Sequence, residues 1–301
     1  MLEKSIPLSG VDGRIDHLAV DAKMHRLFVA ALGNNTVEVI DLEKSERIQT
    51  LKGFEEPQGV CFVPELRKLF VACGGDGSCR IYDDALKLVK KVDLKFDADN
   101  LRYDTATAKV YAGHGDGAIA VIDPKTGEIT ADIALSAHPE AFEIDSAAGR
   151  IYANVPNSKQ IEVIDLAKKS VVEKWKLKEA QSNFPMALDA SARRLVIGCR
   201  SPSRILTLDS SEGKVIDAIA CPGDIDDIFI FSKDGNVVAI GGESAMETFC
   251  RRPDDRLESL GRIATVHGAR TGLFVPEMKR LYIAVPKEGE DARILVFRYG
   301  Q

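Results

Sequence analysis

The chain has 301 residues, 45% of them hydrophobic and 29% charged, with a net charge of −6 and a pI near 5.5. Its Lys and Arg residues are spread along the sequence, which argues against a nucleic-acid or anionic-membrane footprint. No apolar run approaches the roughly 20 residues that span a bilayer.

The opening "MLEKSIPLSG" lacks a basic segment followed by an apolar one, so no signal peptide is read there. The first strand-like run is "DHLAVD", and the hairpin "RLFVAALGNNTVEVIDL" (26–42) follows. Similar hairpins recur as "KLFVACGGDGSCRIYDD" (68–84), "KVYAGHGDGAIAVIDP" (109–124), "RIYANVPNSKQIEVIDL" (150–166) and "RLVIGCRSPSRILTLDS" (194–210). Weaker copies lie at 236–252 and 280–298. Each is an apolar β-rich run, a Gly/Asn/Ser/Pro turn and a second alternating run, the signature of a β-hairpin. One strand-like run precedes each hairpin and another follows most of them, giving four short strands per unit. Equivalent positions fall at 16, 58, 99, 140, 184, 226 and 270, in steps of 41 to 44. That period with four strands is the β-propeller pattern.

These observations predict an all-β, seven-bladed β-propeller of four-stranded antiparallel blades, forming one domain over 1–301. The last unit lacks a fourth strand, and residues 2–8 resemble one, so the N-terminal strand is expected to complete blade seven. That arrangement leaves no open sheet edge there.

"LFVA", "VYAG", "IYANV" and "LYIAV", with "NNTVEVIDL" and "KQIEVIDL", resemble YVTN-type repeats. The whole chain is similar to bacterial YVTN-family (YncE-like) propellers; blade six departs most, with "AMETFCRRPDD" in place of the usual pattern. The resemblance implies a seven-bladed propeller and a periplasmic or extracellular protein, with a cytoplasmic location the alternative. It implies no reaction.

The repeat separates fold grammar from candidate sites. Asp41, Asp123, Asp165 and Asp209 recur after the third strand, and Asp21, Asp104, Asp145 and Asp189 after the first. Both sets are read as turn caps. The position at the start of the first strand instead varies: Asp16, Gln58, Asp99, Glu140, Phe184, Asp226 and Arg270. His17, Asn100, Asp227, Asn183 and His138 lie beside it in sequence. Strict alternation sends His17 to the opposite face of the strand from Asp16. The polar members are expected to gather at one mouth of the central channel and to bind a small molecule or a protein segment. Ca²⁺ would suit such converging oxygens.

Two functions follow from this set. The first is a monomeric ligand-binding or protein-interaction scaffold, with no cofactor, membrane span or nucleic acid involved. The alternative is a metal-assisted, lactonase-like hydrolase or lyase, with Asp16, Asn100, Glu140 and Asp226 as ligands and His17 or His138 as base. No motif names a reaction: G-x-S-x-G is absent, and "GGDG" at 74–77 is a hairpin turn. None of the six cysteines forms a zinc motif, while Cys73 and Cys79 flank a hairpin and are candidates for a disulfide. Arg200 and Arg204 read as residues of a solvated turn.

Overall fold

A computed structural model describes residues 1–231 and 235–299. The fold is an all-β, seven-bladed β-propeller. Every blade is a four-stranded antiparallel sheet whose strands follow one another in chain order, except that the last blade takes its fourth strand from the N-terminus. Blade 1 comprises Leu18–Asp21, Arg26–Ala31, Thr36–Asp41 and Glu46–Leu51, and blades 2 to 7 begin with the strands Pro57–Val63, Leu101–Asp104, Phe142–Asp145, Gln181–Asp189, Ile225–Phe231 and Gly272–Val275. The expected closure is borne out: Leu2–Pro7 pairs with Arg293–Arg298, Ile6 facing Ile294 and Ser5 facing Leu295.

By spatial contact the chain divides into two compact units. One, Met1–Ile133 with Thr271–Gln301, carries blades 7, 1, 2 and 3; the other, Ala134–Arg270, carries blades 4, 5 and 6. In each unit the core lies between neighbouring blades. Phe28, Val39 and Leu51 of blade 1 pack on Val60, Phe62, Leu69 and Val71 of blade 2. Tyr152, Ile161 and Trp175 of blade 4 pack likewise on Met186, Leu195 and Leu206 of blade 5. Burying side chains of this size stabilises by about 1.5–3 kcal/mol each, so adjacent blades depend on each other for their cores.

The turn reading holds in atomic detail. Asp41 Oδ1 accepts the N–H groups of Glu43 and Lys44, and Asp165 Oδ1 those of Ala167 and Lys168, all at 2.9–3.0 Å. After the first strands, Asp21 accepts from Met24, Asp145 from Ala148 and Asp189 from Ala192.

The Cys73–Cys79 disulfide is not formed; both thiols are free. Register explains this. Cys73 faces Ser78 and Cys79 faces Ala72, so the two cysteines project from opposite faces of blade 2, Cys73 toward blade 1 and Cys79 toward blade 3.

Candidate functional site

In blades 1 to 6 the varied position at the start of the blade lies on a β-bulge. In blade 1 the Asp16 N–H donates to Ala30 O (2.8 Å), while the Ala30 N–H donates to His17 O (3.0 Å), so two residues oppose one. Asp99 and Asn100 oppose Gly113 in blade 3, and Glu140 and Ala141 oppose Asn154 in blade 4, in the same way. In blades 2, 5 and 6 the register slips at 58–59, 184–185 and 226–227. Within each unit one pair of neighbouring bulges is linked by backbone: the His17 N–H reaches Gln58 O, and the Ala141 N–H reaches Phe184 O. In blade 2 the second bulge residue is Gly59, where a Cβ would lie 2.1 Å from Asp99 O. Only glycine fits that close approach.

The bulge corrects one expectation. It breaks side-chain alternation, and His17 therefore does not leave Asp16: its Nε2 lies 3.7 Å from Asp16 Oδ1. Asp16 is buried, and its Oδ2 lies 2.9 Å from the half-exposed guanidinium of Arg14. Elsewhere in this unit Gln58 Nε2 donates to Asp97 Oδ1 (3.3 Å). Asn100 Nδ2 donates to Asp99 Oδ2 (3.3 Å), and Arg102 donates to Asn100 Oδ1 (3.4 Å).

In the second unit Asn183 is fully buried and acts as a tie between backbones. Its Nδ2 donates to Asn154 Oδ1 (2.8 Å) and Gln160 O (3.1 Å), while Asn154 Nδ2 donates to the carbonyls of Phe184 and Pro185. Asp226 and Arg270 are brought together in a four-membered lattice. Arg270 contacts Asp224 at 2.7 Å and Asp226 at 3.0 Å; Arg200 contacts Asp226 at 2.5 Å and Asp224 at 3.4 Å. Arg200 also donates to Ile225 O and lies over the Phe184 ring, 3.8 Å from its centroid. The solvated-turn reading of Arg200 is thus wrong: the hairpin Arg194–Ser201/Ser203–Asp209 is long enough to lay that guanidinium across blade 6. Half-buried His138, Glu140 and Asp227 complete the set in this unit. Among the described residues no group of three or more His, Cys, Asp or Glu side chains is arranged to hold a metal ion.

Two further groups escaped the sequence reading. Glu38 and Glu162, in equivalent third-strand positions, are completely buried. Glu38 accepts from Thr36, Thr50 and Arg47 at 2.6–3.1 Å. Glu162 accepts from Ser136, Gln160 and Lys174. Burial raises the Glu162 carboxyl, but the Ser136 and Lys174 bonds outweigh it and hold it below its ordinary value.

The other group is a clamp at the rim between blades 1 and 2. Asp21 Oδ2 pairs with Arg26 at 2.8 Å and Arg67 at 2.7 Å, and Asp84 Oδ1 pairs with the same two arginines at 2.7 and 2.8 Å. The guanidiniums lie over the stacked rings of Phe28 and Phe62. Hydrogen bonds from Arg67, then Arg26, bring the Asp84 carboxyl down to about 2. Burial raises Asp21, yet bonds from Arg67 and Arg26 leave it lowered. The corresponding rim between blades 4 and 5 is instead a cavity of about 480 Å³, and that between blades 7 and 1 a cavity of about 300 Å³ lined by Lys4, His25, Met278, Arg280 and Tyr282 among others.

No family model matches the chain, and no curated protein matches it. Solved structures do. A chain of Kuenenia stuttgartiensis hydrazine synthase superposes with a TM-score of 0.83 at 15% identity, covering 97% of this chain and 98% of that one. A chain of the mitotic checkpoint complex gives 0.83 at 13% identity over 99% and 92%, and U3-55K gives 0.83 at 11% over 97% of each. At these identities the likeness is one of fold.

Proposed function

We propose that the protein is a recognition scaffold, binding a small molecule or a protein segment through the polar residues at its first-strand bulges. One observation carries this reading. The bulge backbone recurs from blade to blade, while the residue pair on it changes: Asp16–His17, Asp99–Asn100, Glu140–Ala141, Asp226–Asp227. A rigid frame with varied side chains is how binding surfaces are built on repeat folds. Propellers commonly serve as protein-interaction scaffolds, which agrees with it. Membership of the YVTN family, a monomeric state and an exported location belong to the same proposal and rest on the repeat motifs.

The test is comparative capture. Native protein and two variants, Asp16→Asn with Asp99→Asn in one and Asp226→Asn in the other, are used to retain small molecules and proteins from source extract. Loss of the same retained species in either variant supports the scaffold reading. Identical retention by all three sinks it. Light scattering of the native protein checks the monomer, and fractionation of source cells checks export.

A further inference from the structure

We propose that the cavity between blades 4 and 5 is a binding site for a small-molecule carboxylate. It is separate from the first-strand bulges. It is lined by Asp145, Arg150, Tyr152, Arg193, Ser210 and Ser211, with Ala147, Ala148 and Ala190 as small walls.

The reason lies in the repeat. Register equates this cavity, position by position, with the clamp of blades 1 and 2. Asp145 faces Arg150 as Asp21 faces Arg26. Arg193 and Arg67 occupy the same turn with the same left-handed backbone, φ 55° and 51°. Asp209 faces Arg194 in the third strand of blade 5, so Ser210, the next residue, stands where Asp84 stands in blade 2. Three of the four charged members are kept. The missing one, the counterpart of Asp84, is the second of the two carboxylates that both arginines grip in the clamp.

What remains fits an acid from outside. Arg193 is exposed, and its guanidinium has no hydrogen bond or ion pair among the described residues. Arg150 has partial partners, Glu173 at 3.3 Å and Ser211 O at 3.4 Å. Asp145 caps the turn through the Ala148 N–H. The floor is the Tyr152 ring, whose hydroxyl is already donated to Ser210 O at 2.8 Å. An anion with an apolar body is thereby matched: guanidiniums for the carboxylate, an aromatic and alanines for the rest, in a volume of small-molecule size.

The chain's one tryptophan reports on the site. Trp175 lies against Tyr152 with ring centroids 5.7 Å apart.

Titration calorimetry of the full chain with benzoate, benzamide and inorganic phosphate tests the proposal, with Trp175 emission and a melting curve as controls on folding. Benzoate binds, benzamide does not, and phosphate binds more weakly than benzoate. Arg193→Gln weakens benzoate roughly tenfold or more, as expected for loss of a charge-assisted bond. Ser210→Asp, which supplies the acid internally, abolishes binding, and Asp145→Asn tightens it. No heat with benzoate, equal binding of benzamide, phosphate binding more tightly than benzoate, or unchanged affinity in both Arg193→Gln and Ser210→Asp would each overturn it.

Discussion

The rim of blades 1 and 2 and the rim of blades 4 and 5 share strand register and differ in the second acid and in both rings, Phe28 and Phe62 giving way to Tyr152 and Leu188. In the first, Asp21, Arg26, Arg67 and Asp84 close on one another over Phe28 and Phe62. In the second, Ser210 replaces the second acid, and Leu188 stands where Phe62 does, leaving a cavity. The difference shows how this repeat works. Backbone register is held constant by turn-capping aspartates and inter-blade cores, and the chemistry at the rim differs between junctions of the same unit. Blades 5 and 6 carry a third solution, with Arg251 paired to Asp189 at 2.8 Å and Arg194 to Asp255 at 2.6 Å.

The largest effect is expected at the clamp of blades 1 and 2. Asp21→Ala removes the buried one of the two carboxylates that Arg26 and Arg67 share, and with it the cap on Met24. We expect a loss of about 3 kcal/mol, read as a lower denaturant midpoint, whereas Asp145→Ala, with no ion pair among the described residues, should cost about 1 kcal/mol through the lost cap. Equal losses would dissolve the distinction. Phe62→Leu converts blade 2 toward blade 5 and should cost about 1–1.5 kcal/mol through lost ring stacking and cation–π contact.

Smaller effects are expected at Asp84. Asp84 is half exposed, so Asp84→Ser should cost under about 1 kcal/mol, but the variant should now gain benzoate affinity at blades 1 and 2. The contribution of Asp84 has a defined pH window. Its carboxyl is depressed in the folded state, so its stabilisation is complete above the ordinary aspartate range and is lost as pH falls through about 2. The gap between native and Asp84→Ser midpoints should therefore shrink from about pH 4 downward. A gap that widens on acidification would contradict the pairing.

Much of this was readable from the sequence, and the exceptions share a cause. Strand order, hairpin register, blade closure by Leu2–Pro7 and the aspartate caps are local or periodic features, and "VEVID" or "DHLAVD" states them directly. The candidate positions Asp16, Asp99, Glu140 and Asp226 were picked out because their chemistry varies against that period. Side-chain direction at His17 was not readable, since a bulge cancels alternation without changing composition. Nor was Arg200 across Asp224 and Asp226, or Asn183 tied to Asn154, since these bonds join residues 24–29 positions apart in sequence. The rim clamp was recoverable in principle. Writing the repeats in register places Arg67 and Arg193 together, and Asp84 beside Ser210, a substitution visible only once neighbouring blades are known to share a rim.

The most direct measurement is a crystal structure of the protein grown with 4-bromobenzoate, located by the anomalous signal of bromine. A bromine peak is expected in the cavity of blades 4 and 5, with the carboxylate on Arg193 and Arg150, and none between Arg26 and Arg67. A peak at the closed clamp of blades 1 and 2, or an empty cavity at Arg193, would contradict the proposed site.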